Sequence, residues 1–187
     1  FEITKVFESL KEKGICFDGM WPWEPVENGI PTKFATPPRD EAYADALTPY
    51  PATLTKKIDG WQELDPTNPD QWIDNLKNHN PIYIGISCDA EFKKVGDLRK
   101  NIYYNRVGSG RGHALIIVGF TTNFPDPTNP NSTIPAFKIR NSWGNLWGEN
   151  GYIWVPYDLL PQLLITKPYI FQWRKEEKPK TLKAHTL

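Results

Sequence analysis

The chain has 187 residues, enough for one hydrophobic core of ordinary size and too few for two comfortable domains. Its 22 Lys and Arg balance 22 Asp and Glu, so there is no surplus field to gather nucleic acid, anionic lipid or an acidic substrate. Apolar runs such as 114–120 fall far short of the ~20 residues that span a bilayer, and 8 Trp, 8 Tyr and 18 Pro describe fixed aromatic loops rather than a helical bundle.

Ile3, Val6, Phe7 and Leu10 fall at i, i+3, i+4 and i+7, an apolar stripe of helical period that stops at Gly14. Beginning inside an amphipathic helix, with no Met and no leader, the chain reads as lacking an N-terminal piece. Residues 16–69 are rich in Trp, Pro, Gly and Asp, which predicts ordered loop with one short helix around 39–47. Asn68-Pro69-Asp70-Gln71 then supplies a cap, a Pro at the first helical position and an acid in the first turn. A helix follows with Trp72, Ile73 and Leu76 inward, ending before Pro81.

Residues 81–87 and 113–120 read as strands. The second is apolar on both faces, so it is expected to be central and covered on both sides. Residues 121–135 form a Pro/Asn stretch expected to be a loop. In the next strand Phe137 and Ile139 alternate with Lys138 and Arg140, which gives it one wet face. Shorter strands are expected at 151–155 and 169–173, and the tail beyond 173 has little to bury. Helix and loops first, then an antiparallel meander, make an α+β fold over 1–173, with 174–187 as a tail.

Joining strands 113–120 and 135–141 as antiparallel neighbours sets His113 opposite Asn141. An amide oxygen that accepts a ring N–H fixes the imidazole's tautomer and orientation, leaving the other nitrogen to exchange a proton with a nucleophile. Trp143 can lie over that bond and exclude water, which strengthens it. Gly144, Gly148 and Gly151 give the turn its backbone freedom beside two bulky indoles.

"GRGHALIIVGF" followed by "FKIRNSWGNLWGENGYIWV" resembles the His and Asn segments of papain-like cysteine peptidases. "GICFDGMWPWEP" is similar to the family's aromatic-Pro-aromatic stretch, here Trp21-Pro22-Trp23, and "NPIYIGIS" to the strand before its substrate-binding loop. The resemblance implies a papain-like α+β fold whose right-hand, barrel-like domain is an antiparallel sheet with helices. It also implies a peptide or protein substrate, no cofactor and a secreted or lysosome- or vacuole-like location. Carried over by residue, His113 would be the base, Asn141 its orienter and Trp143 the shield. Ser142 and Gly144 would shape the turn, Trp147 would line the leaving-group side of the cleft, and Gly112 with 105–111 would border it.

The family's Gln-x-x-x-Cys-Gly-Ser-Cys-Trp-like segment has no counterpart in this chain. The resemblance therefore places the nucleophile outside it, on an N-terminal segment that is missing or separate. Cys16 and Cys88 read as structural thiols, since neither opens a predicted helix whose amides would lower a thiol pKa. Residues 108–112 precede a strand, where a phosphate loop would precede a helix. His79 and His185 have no ligand spacing, so no metal is expected, and 126–132 lacks the Gly and Glu of a calcium loop. One other class stays open, an inactive relative that binds peptides or a partner protein, while the placement of Trp beside Gly turns argues against a carbohydrate-binding module built on exposed indoles.

Overall fold

A computed structural model describes residues 2–17, 19–22, 37–48, 56–97, 101–103 and 110–173. Along them run α1 (Ile3–Glu12), α2 (Asp40–Leu47), β1 (Ile58–Glu63), α3 (Pro69–Lys77), β2 (Ile82–Cys88), α4 (Ala90–Asp97), β3 (Arg111–Pro125), β4 (Thr133–Arg140), β5 (Tyr152–Pro156), α5 (Leu160–Leu163) and β6 (Tyr169–Trp173). Contacts divide the chain into two units, Phe1–Trp61 with Gln172–Leu187, and Gln62–Phe171. Trp23, residues 105–109 and the tail from 174, all of which carried expectations, lie outside the described residues.

In the first unit the stripe of α1 buries Phe7, whose ring lies 5.6 Å from that of Trp61. Lys56 ties the loops together. Its ammonium pairs with Asp45 Oδ2 at 2.7 Å, donates to the Asp45 carbonyl and sits 4.2 Å from the centre of the Phe17 ring. The Lys56 hydrogen bond, helped by the Phe17 amide, holds the Asp45 carboxyl below the usual carboxylate range. A depressed folded-state pKa means that this support is complete above the ordinary carboxylate range and fades as pH falls through the lowered value. The helix expected near 39–47 is α2, while β1 was hidden within what the sequence presents as loop.

In the second unit the cap of α3 forms as its sequence predicts. Asn68 Oδ1 accepts the Gln71 amide at 3.2 Å, and Pro69 opens the helix. Trp72, fully buried, donates from Nε1 to the Asp65 carbonyl at 2.8 Å and packs 5.5 Å from Phe137, which stacks on Tyr157. Burial, with the Asp70 carboxylate accepting the Tyr157 hydroxyl at 2.6 Å, pushes that phenol up to about 12.

The strands run in the order β1-β6-β2-β3-β4-β5. β2 through β5 form the expected antiparallel meander, but the row of strands stays open rather than closing into a barrel. One face, from Ile82, Ile84 and Ile86 through Leu115 and Ile117 to Ile139 and Ile153, makes the core beneath α3 and α5.

Among the described residues, β3 is central but covered on one face only. Val118 is 38% exposed, and Ala114 is exposed. On that outer face Lys138 lies 4.9 Å from the Tyr152 ring and 5.6 Å from Trp154, and Arg140 lies 5.9 Å from Tyr152. Cations over aromatic faces, with their stems along the sheet, take the place of a second apolar layer. The stretch 121–135 is not a loop either. β3 and β4 extend into it as a hairpin arm, pairing Phe124 with Ile134 and Pro125 with Thr133, so that only 126–132 turns.

Gly110, just before β3, is held so close to β2 that a Cβ there would stand 1.6 Å from the Cys88 carbonyl oxygen. Backbone cannot yield as a flexible side chain does, so Gly110→Ala should cost at least ~1–3 kcal/mol. At Gly119 the nearest atom to such a Cβ is Lys138 Cβ at 3.7 Å. Thermal unfolding of the two variants should therefore show a large loss for Gly110→Ala and a small one for Gly119→Ala.

Candidate functional site

The second unit brings His113, Asn141, Trp143 and Trp147 together. His113 Nε2 lies 2.8 Å from Asn141 Oδ1, and the same oxygen accepts the Ser142 backbone N–H at 2.7 Å. Because a backbone N–H can only donate, the Ser142 contact identifies which amide atom is oxygen. Nε2 must then carry the proton it offers to Oδ1, and Nδ1 keeps the lone pair with which to take a proton from a neighbour.

The two residues do not face each other across the ladder as expected. The last β3–β4 pair is Ile116 with Arg140, so Asn141 would fall across from Leu115, two residues from His113. A bulge between Ile117 and Gly119 moves the register one residue toward His113, not far enough to set the two face to face. Contact is restored diagonally, within reach of a long side chain, as Asn141 leaves the ladder and donates its N–H to the Gly151 carbonyl at 2.9 Å.

Gly144, Gly148 and Gly151 all take positive φ, at 84°, 56° and 87°. The chain turns there through backbone space that side chains avoid. The turn lays Trp143 flat over the imidazole, centroids 4.6 Å apart and planes 25° apart, with the indole 39% exposed. Trp147 instead meets Trp143 edge-on at 87° and is only 6% exposed. Of the two indoles it is the buried support, and Trp143 is the one presented to solvent. Gly112 lies one residue before His113, and its open side faces Ile165 Cδ1, 2.8 Å from where a Cβ would stand.

α4 escapes the sequence reading, and it brings the residue that reading missed. Asp89 caps the helix by accepting the Phe92 amide at 2.8 Å. Phe92, fully buried, centres an aromatic cluster, with ring centroids 5.2 Å from Trp147, 6.0 Å from Trp143, 6.4 Å from His113 and 5.2 Å from Tyr103. An Asp followed at i+3 by an aromatic was the available signal.

Cys88 ends β2 two residues before α4, so it does stand near a helix start. It is nonetheless buried, its thiol makes a weak hydrogen bond to the Asp89 carbonyl, and burial pushes that thiol up. Cys16 belongs to the other unit. Among the described residues no three His, Cys, Asp or Glu side chains converge on a metal position.

Beside the site, on the outer face of β3, lies a hollow of about 630 Å³ lined by Ala114, Ile116, Arg140, Asn141 and Tyr152 among others. The imidazole does not border it. Asn141, 6% exposed, buries its Nδ2 with no hydrogen-bond partner among the described residues.

Comparison with known proteins identifies the family. Residues 3–163 match the model of the papain family cysteine proteases. A peptidase C1-like protein of Acanthamoeba polyphaga mimivirus is 28% identical over 166 residues, covering 83% of this chain and 46% of the relative. Papain of Carica papaya is 30% identical over 105 residues, 56% of this chain and 25% of papain. Among solved structures, xylellain, a cysteine protease from Xylella fastidiosa, superposes with a TM-score of 0.68 at 24% identity, over 91% of this chain and 60% of xylellain. The chain thus spans less than half the length of the two curated relatives named.

Proposed function

The chain belongs to the papain family of cysteine proteases, and from that premise we propose that it contributes the His and Asn of a peptide-hydrolysing Cys-His-Asn site whose thiol stands on a polypeptide segment outside this chain. The observation that carries the reading is the Nε2–Oδ1 bond of 2.8 Å with its oxygen fixed by Ser142. It leaves Nδ1 as the one ring nitrogen free to act.

In this reading Nδ1 takes the proton of the incoming thiol, and the thiolate adds to the peptide carbonyl. The imidazolium returns the proton to the departing amine, and a thioester forms. Water, deprotonated by the same nitrogen, then cleaves the thioester. Asn141 holds the ring through both transfers, and Trp143 keeps water from competing for its N–H.

One observation supports a thiol from elsewhere. Cys88 is buried with its thiol pushed up, the opposite of what a nucleophile needs.

A peptidyl epoxide that alkylates thiols irreversibly provides the test, applied to the complete protein and followed by peptide mapping. The expected product carries the label on one cysteine that is neither Cys16 nor Cys88, and His113→Ala should slow its formation. Stoichiometric labelling of Cys16 or Cys88 would overturn the assignment.

A further inference from the structure

The hairpin arm of β3 and β4 ends in a turn, 126–132, whose polar side chains divide into two groups. Asp126 and Asn129 are consumed within it: Asp126 Oδ1 accepts both the Thr128 amide and its hydroxyl, at 2.8 and 2.7 Å, and Asn129 Oδ1 accepts the Asn131 amide at 3.1 Å. Backbone bonds from Asp126 N to Ser132 O and from Ser132 N to Asn129 O close the turn. Phe124 pins the arm to the sheet, its ring 5.4 Å from that of Trp154.

Asn131 is exposed, and its carboxamide takes part in none of these bonds. It begins Asn131-Ser132-Thr133, which among the 13 Asn of the chain is the single Asn-X-Ser/Thr with X other than Pro. Thr133 is exposed as well, at the first residue of β4. Such a triplet on a surface turn is the recognition unit for asparagine glycosylation.

We propose that Asn131 is an acceptor for an N-linked oligosaccharide. Its Nδ2 bonds to C1 of a sugar carried on a lipid pyrophosphate. The C1–oxygen bond to the pyrophosphate breaks, the lipid pyrophosphate leaves, and the amide loses one proton, with no change in oxidation state. The location suits a bulky addition. From His113 to Pro125 the strand runs roughly 35–40 Å at about 3.3 Å per residue, and the turn lies at the opposite end of the arm from both His113 and Asn141. A glycan there would solvate the tip and leave the imidazole open. This assignment goes beyond the proposed peptidase reading and does not depend on it, but it requires that the chain pass through a compartment holding the transferase.

The test is expression of the complete protein through a eukaryotic secretory pathway beside a reporter glycoprotein, with mass analysis of the peptide containing residue 131 before and after peptide-N-glycosidase. The expected result is a glycan-bearing peptide that the enzyme converts to Asp at 131. Asn131→Gln and Thr133→Ala should each yield secreted protein with this peptide unmodified. An unmodified wild-type peptide in secreted protein, while the reporter is glycosylated, would overturn the proposal, and so would a Thr133→Ala protein as fully occupied as wild type.

Discussion

Replacing His113 by Ala in the complete protein should lower kcat/KM on a fluorogenic peptide about a thousandfold or more, with little change in KM. General acid–base catalysis by a placed imidazole contributes roughly 10²–10⁴-fold. Where the same ring also generates the nucleophile, its removal costs nearly as much as losing the whole set. The side chain is half-buried at the start of β3, so folding should survive, as circular dichroism would check.

Asn141→Ala should cost less, about 10–100-fold, because it removes one hydrogen bond to a ring that is charged in the transition state, about 1.5–3 kcal/mol. The two losses should not add in the double variant, since Asn141 acts only through the imidazole. A His113→Ala enzyme that retains near-normal kcat, or an additive double variant, would remove the basis for assigning this pair.

Phe92→Ala should be the most destabilising single truncation near the site, by about 3–5 kcal/mol in urea unfolding, the range for a large aromatic removed from a closed core. The ring is fully buried and touches four aromatic side chains, three of which belong to the site. Its loss leaves Trp143 and Trp147 without the edge that sets their angle, so the indole over His113 should reorient. Phe92→Leu should cost under about 1.5 kcal/mol because it nearly conserves volume. If kcat falls in Phe92→Leu while stability holds, the ring positions the imidazole. Equal kcat in wild type and Phe92→Leu would reduce Phe92 to a packing residue.

Local grammar carried much of this architecture. The Asn68-Pro69 cap, the alternation of Phe137 and Ile139 with Lys138 and Arg140, and the glycines at 144, 148 and 151 each act within one turn of helix or a few residues of strand. Physics at that range depends only on neighbours in the chain, so the sequence by itself determined it. The His-Asn-Trp grouping was legible for a related reason: both members of the bonded pair sit at strand ends joined by a hairpin, and the turn between β4 and β5 dictates where the indole falls.

Tertiary structure alone decided the rest. A bulge near Val118, which alternation along the strand does not reveal, moves the register by one residue toward His113, and the partners still meet diagonally and not face to face. α4 is a short helix whose worth lies in the contacts of Phe92 with residues 21 to 55 positions away, which periodicity over eight residues cannot disclose. Trp143 and Trp147 are four residues apart in similar sequence surroundings, yet one is presented to solvent and the other is sealed in. Which indole faces outward depends on what fills the space behind it. That space is filled by Phe92, from a helix far earlier in the chain.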